Sequence, residues 1–219
     1  MRKSLVLIPA SLAAVGMFAF AAPSSADHIE FCNGLEGTVY LEHGDAPTTG
    51  DDVIIGTSGA DSFDALAGND TVCAGDGDDN FTTDGGNDWV DAGKGNDTVD
   101  TGGGDDFVEG GWGNDSLTTG TDNDTASGGW GNDSIDSDGG NDTIDGGKED
   151  DTLSAGGGDD FVYGGPNTDT LDGGSHILGD YCEVGPTNTN GKNKNASSSD
   201  SQTNCESGTP NTVTAVSVF

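Results

Sequence analysis

The chain has 219 residues, among them 39 glycines, with 40 acidic residues against 6 lysines and arginines and a formal charge of −34. That charge excludes nucleic acid as a partner, disfavours anionic membrane surfaces and invites cations. Only 31% of the residues are hydrophobic, a balance that ordinarily marks disorder, but the acid is nearly all aspartate and its placement is periodic.

In chain order, residues 1–26 read as an export signal. Arg2 and Lys3 form the basic start, Leu5 to Ala22 is apolar and broken by Pro9, and Ser24-Ser25-Ala26 offers small residues for cleavage. Cleavage after Ala26 would remove Arg2 and Lys3 and leave a still more acidic, secreted chain with no membrane span. The apolar run approaches spanning length, so a retained anchor is the competing reading. Residues 27–46, with Thr38-Val39-Tyr40-Leu41, are expected to form an N-terminal cap on the segment that follows. Four cysteines in an exported protein imply two disulfides, with three possible pairings. The expected one is Cys32–Cys73 with Cys182–Cys205, each bridge pinning a flank.

From Pro47, fourteen nine-residue repeats run without an insertion. The sixth position is aspartate in every one: Asp52, Asp61, Asp70, Asp79, Asp88, Asp97, Asp106, Asp115, Asp124, Asp133, Asp142, Asp151, Asp160 and Asp169. The fourth is glycine except at Asp122, Glu149 and Asn167, and the eighth is apolar throughout, from Ile54 and Phe63 to Val162 and Leu171. Glycines at the second and fourth positions, as in Gly102 and Gly104, permit the positive φ of a tight turn. A three-residue strand such as Phe107-Val108-Glu109 then points its middle residue to one face. One apolar residue per strand is buried only if a second strand lies opposite, so two repeats make one coil of 18 residues. The expected fold is all-β, a parallel β-roll (β-solenoid) of seven coils, about 34 Å long at the usual strand spacing. Beyond Gly173-Gly174 the pattern fails, and residues 175–219 read as a C-terminal cap and a flexible tail rich in Asn, Ser, Thr and Gly.

Segments such as Gly128-Gly129-Trp130-Gly131-Asn132-Asp133-Ser134-Ile135-Asp136 resemble the hemolysin-type, or RTX, calcium-binding nonapeptide, Gly-Gly-x-Gly-x-Asp-x-apolar-x. The resemblance covers residues 47 to about 174. It implies calcium ions seated between each turn and its neighbour one coil later, held by the two aspartates and by backbone carbonyls. The pairs would run from Asp52 with Asp70 and Asp61 with Asp79 to Asp151 with Asp169, giving up to about 12 ions. An all-oxygen donor set without repeating His or Cys agrees, since it selects a hard cation, and a flexible one suits calcium better than magnesium. Stacked carboxylates repel one another until a cation separates them, so the chain is expected to fold on binding calcium.

The third position places Trp112 and Trp130 one coil apart at one edge, flanked by Lys94 and Lys148. They could serve as a patch for a glycan or a surface protein, or simply cover the glycine-rich turn. Trp89, Phe107 and Phe161, at the seventh position, suggest a second, thinner apolar stripe. The calcium-dependent ice-binding solenoids of the family this chain resembles stack Thr and Asn at the third and fifth positions, and the chain keeps Asn at many fifth positions: Asn69, Asn87, Asn96, Asn114, Asn123, Asn132 and Asn141. Its only third-position threonines are Thr49 and Thr121, which argues against that activity. No enzyme is expected: His28, His43 and His176 all lie outside the array, and nothing arranges them with a nucleophile. The chain therefore reads as an extracellular calcium-binding protein, with calcium-dependent adhesion as the alternative.

Overall fold

A computed structural model of the chain describes residues 31–174, together with the backbone of 181–184 and 201–203. The export segment and the side chains of the second cysteine pair lie outside the described residues. The described residues are all-β apart from one 3-10 turn at Leu41–His43. Two parallel sheets, of nine and eight strands, face each other. The larger contains Val53–Ile55, Thr71–Cys73, Trp89–Asp91, Phe107–Trp112, Thr125–Trp130, Thr143–Lys148 and Phe161–Gly165, and the smaller alternates with it from Ser62–Asp64 to Thr170–Asp172. Every pairing within the array joins residues 18 apart: Val108 lies between Val90 and Ala126, and Leu117 between Val99 and Ile135. This is the expected parallel β-roll of about seven coils.

The core is a single file of eighth-position side chains from each sheet, Ile54, Val72, Val90, Val108, Ile144 and Val162 meeting Phe81, Val99, Leu117, Ile135, Leu153 and Leu171. Phe63 is only half-buried because its strand is the terminal one of the smaller sheet; it stacks on Phe81 with ring centroids 4.8 Å apart. The first position of each repeat is also small and buried almost throughout, as in Ala65, Ala74, Thr83, Ala92, Thr101, Thr119, Ser137 and Ala155. There the chain turns inward from one sheet toward the other, and a large side chain would displace the core.

Strands of the larger sheet run on past the expected three residues. Phe107–Trp112 pairs with Thr125–Trp130 through Gly111 with Gly129 and Trp112 with Trp130, so the turn itself joins the parallel ladder. The turns stack so closely that a Cβ on Gly104, whose φ is +127°, would lie 2.0 Å from the Gly86 carbonyl oxygen. Asp122, Glu149 and Asn167 replace that glycine at φ of 85°, 74° and 96°. L-residues reach this left-handed region at a cost of about 1–2 kcal/mol. Glu149→Gly is therefore expected to stabilise the calcium-loaded protein by up to about 1 kcal/mol, less the entropy of the added glycine. Urea unfolding in saturating calcium would read this as a higher midpoint at unchanged slope.

The expected Cys32–Cys73 bridge is present, with Cα atoms 5.7 Å apart. It ties the antiparallel pair Phe31–Cys32 and Leu35–Glu36 over the outer face of the larger sheet, while Val39–Tyr40 extends that sheet alongside Val53–Ile55. At the other end Tyr181–Val184 and Ser201–Thr203 add one strand to each sheet.

Candidate metal centre

The roll gathers the fourteen sixth-position aspartates into two columns, one along each edge. Asp52, Asp70, Asp88, Asp106, Asp124, Asp142 and Asp160 lead into the larger sheet; Asp61, Asp79, Asp97, Asp115, Asp133, Asp151 and Asp169 lead into the smaller. All are buried except Asp61, which is half-buried. Carboxylates are almost never so buried without a partner.

One oxygen of each is accounted for. The N–H of each column aspartate from Asp52 to Asp151 donates to Oδ1 of the aspartate one coil later, at 2.8–3.0 Å from Asp52 onto Asp70 to Asp151 onto Asp169. The second oxygen differs from residue to residue. In Asp79, Asp97, Asp115, Asp133 and Asp151, Oδ2 is fully buried without a hydrogen-bond partner. Burial is the main reason these carboxyls are pushed far above the usual carboxylate range, to about 6 in Asp70, Asp79, Asp97, Asp115, Asp124, Asp133 and Asp142, about 7 in Asp106 and about 8 in Asp151. The N–H from the preceding coil opposes the shift, and nearby carboxylates add to it.

The two edges are not equivalent. On the larger sheet's edge, Thr83, Thr101, Thr119 and Ser137 stand beside Asp88, Asp106, Asp124 and Asp142 and moderate the rise of their carboxyls, while the hydroxyls of Thr83, Thr101 and Ser137 donate to carbonyls one coil later at 3.1–3.3 Å. On the other edge the same first position is Gly110, Gly128, Gly146 and Gly164, and a Cβ on Gly128 would meet Asp133 Oδ2 at 2.4 Å. Sequence reasoning overlooked the hydroxyl row. Its signal was present, a run of small residues at every first position, but neither the burial nor the proximity to aspartate is visible in one dimension.

The fifth position also has a job. Asn87 N–H donates to Asn69 Oδ1 at 2.8 Å, Asn114 N–H to Asn96 Oδ1 at 2.9 Å, and Asn132 N–H to Asn114 Oδ1 at 2.8 Å. These bonds point back one coil, whereas those of the aspartate columns point forward, so each turn is gripped from both sides.

Among the described residues no three His, Cys, Asp or Glu side chains converge as a metal cluster. A cation would instead be held by carboxylates in register on successive turns, completed by backbone carbonyls. The residues fit such an ion. The donors are all oxygen, the free oxygens are buried, and the protons that would otherwise neutralise them are largely lost by pH 8.

Trp112 and Trp130 are exposed at 57% and 45% and stack on each other, centroids 5.0 Å apart and 8° from parallel. Lys148 Nζ lies 3.2 Å from the Trp130 ring centroid, and Lys94 Nζ bonds Asp76 at 2.7 Å. Both faces of Trp130 are thus occupied from within the column, so a sugar ring has no face of that indole to stack on. The second stripe is short: Trp89 stacks on Phe107 at 6.1 Å, but Thr125 and Thr143 separate that pair from Phe161.

A two-edged roll with stacked buried carboxylates defines a cation-binding repeat protein. Comparison with known families then supplies the cation. The RTX calcium-binding nonapeptide repeat (4 copies) matches residues 48–81, 74–108, 82–117, 109–144 and 145–175. The chain belongs to this family of calcium-binding repeat proteins. No curated protein and no solved structure matches it.

Proposed function

We propose that the chain is an exported calcium-binding protein whose roll folds as calcium enters between successive turns of both aspartate columns. The observation that carries this reading is the row of buried, unpartnered Oδ2 atoms in Asp79, Asp97, Asp115, Asp133 and Asp151. A buried carboxylate oxygen without a hydrogen-bond partner is tolerable only if neutralised, and calcium suits an all-oxygen site. The fourteen aspartates, from Asp52 to Asp169, are the proposed ligands, with up to about 12 ions between them. Residues 1–26 are the proposed signal, 27–46 an N-terminal cap, 47–174 the calcium-binding array and 175–219 a C-terminal cap and tail.

Export is supported by the basic–apolar–small pattern of residues 1–26 and by the family, whose members are typically secreted. Among the described residues no helix is long and apolar enough to cross a membrane. The RTX roll is a structural, calcium-binding fold and not typically a catalytic one. Adhesion through a sugar bound to Trp112 and Trp130 is not favoured, because the faces of Trp130 are covered.

Calorimetric titration of the mature chain with calcium, read alongside its ellipticity, tests the proposal. Many ions per chain should bind, with heat and β-signal rising together. One or two ions, or binding without any gain of structure, would reject it.

A further inference from the structure

Asp52 and Asp61 open the two columns, and threonines of the protein itself donate to Oδ2 of each. Thr48 donates to Asp52 Oδ2 from its N–H at 2.7 Å and its hydroxyl at 2.9 Å, and the Thr38 hydroxyl reaches Asp52 Oδ1 at 3.3 Å. Thr57 does the same for Asp61 Oδ2, at 2.7 and 3.0 Å. Both threonines hold the second position of their repeats, where most later repeats have glycine, as at Gly75, Gly93, Gly102 and Gly111. Glycine has no hydroxyl to offer, and the later Oδ2 atoms of Asp79, Asp97, Asp115, Asp133 and Asp151 stay buried without a partner. The stacked turn bridges agree: they begin with Ala67 and Gly85 on one edge and Asp76 and Lys94 on the other, one coil after the threonine turns.

The same end of the roll is also the best packed. Later coils bury apolar side chains only between the sheets. Here the Phe31–Cys32 and Leu35–Glu36 pair also covers the outer face, closing a second cluster of Cys32, Ile55 and Cys73 against Tyr40, Val53 and Trp89. Inside, Val39 and Leu41 join Ile54, Val72 and Phe63. The disulfide fastens this cover to the second coil's strand. Apolar burial on two faces and a covalent tie are both independent of metal.

We propose that residues 31–73 fold without calcium and form the template on which the calcium-dependent coils stack, with Thr48 and Thr57 taking the place of ions at the first rung. This rests on the calcium reading of the later columns and refines it: of the fourteen proposed ligands, Asp52 and Asp61 instead terminate the columns and bind no ion, which lowers the ceiling from about 12 ions to about 10. Each coil touches only its neighbours, so a preformed edge removes the costly first step and assembly runs from the N-terminal end toward Leu171.

Hydrogen exchange followed by mass spectrometry on the full mature chain, disulfide intact, tests this in EDTA and in calcium. In EDTA the amides of Val53–Ile55 and Thr71–Cys73 are expected to exchange at least about 100-fold more slowly than an unfolded chain, while Thr98–Asp100 to Thr170–Asp172 exchange at unfolded rates. Reducing the disulfide should lower the N-terminal protection at least about tenfold. Uniformly fast exchange in EDTA, with calcium still protecting the later coils, overturns the template and leaves the calcium reading standing. If calcium protects no coil, the calcium reading fails first. A count of bound calcium separates the residues: Asp52→Asn should leave it unchanged, whereas Asp106→Asn should lower it. Loss of an ion from Asp52→Asn overturns the role given to Thr48.

Discussion

In EDTA at neutral pH, most of the β-sheet ellipticity of the mature chain will be absent, and millimolar calcium will restore it in a cooperative transition. The cause lies in how little else holds the later coils. Each adds one buried apolar side chain per strand, as Val108 and Leu117 do, and the first position beside it is small. Against that stands a glycine-rich backbone that loses more entropy on ordering than most. Each coil also buries a carboxylate at either edge, and without metal this carries a desolvation penalty. One calcium site at a hundred times its dissociation constant contributes about 2.7 kcal/mol, so a column of such sites outweighs the roughly 5–15 kcal/mol of an ordinary domain. The expected change is from a largely unfolded chain to a folded one. Strong β-sheet signal in chelator, unchanged by calcium, would refute it.

Acid should do part of calcium's work. The column carboxyls are raised by burial in the fold, to about 6 in Asp79 and Asp115, about 7 in Asp106 and about 8 in Asp151, against about 3.9 in an unfolded chain. The metal-free fold therefore binds protons more tightly than the unfolded chain. Its stability is fully present below about pH 4 and is lost as pH rises through 6 to 8. In chelator, ellipticity is expected to grow as pH falls from 8 to about 4, and to decline again on return. Protons and calcium compete for the same oxygens, so apparent calcium affinity should fall steeply between about pH 7.5 and 5. An affinity independent of pH across that interval would mean that the buried carboxylates are not where calcium binds.

The nine-residue period made the architecture legible in advance. An apolar eighth position with turns on either side has one way to be buried, between two sheets with coils of 18 residues. The invariant sixth-position aspartate then falls in register at the two edges. The bridge between Cys32 and Cys73 was legible too, as the pairing that pins the N-terminal flank. Other features could not be read because their partners are distant along the chain or differ from coil to coil. The asparagines at fifth positions each hold an N–H one coil away, as Asn69 holds Asn87, a role that nothing within a single repeat marks. The six-residue strands exist because Gly111 and Trp112 continue a ladder that only their neighbours Gly129 and Trp130 reveal.

By itself, then, the sequence determined the roll, its pitch and the rows of acid, because periodic burial leaves the backbone little choice. Only the tertiary structure decided that the two rows differ, hydroxyls of Thr83, Thr101 and Ser137 beside one and bare glycines such as Gly128 against the other. It also decided that Thr48 and Thr57 close the first rung, and that the indoles of Trp112 and Trp130 lean on each other and on Lys148. Each of these depends on which side chain stands one coil away and on the few ångströms between them, and spacing along a chain does not encode such distances.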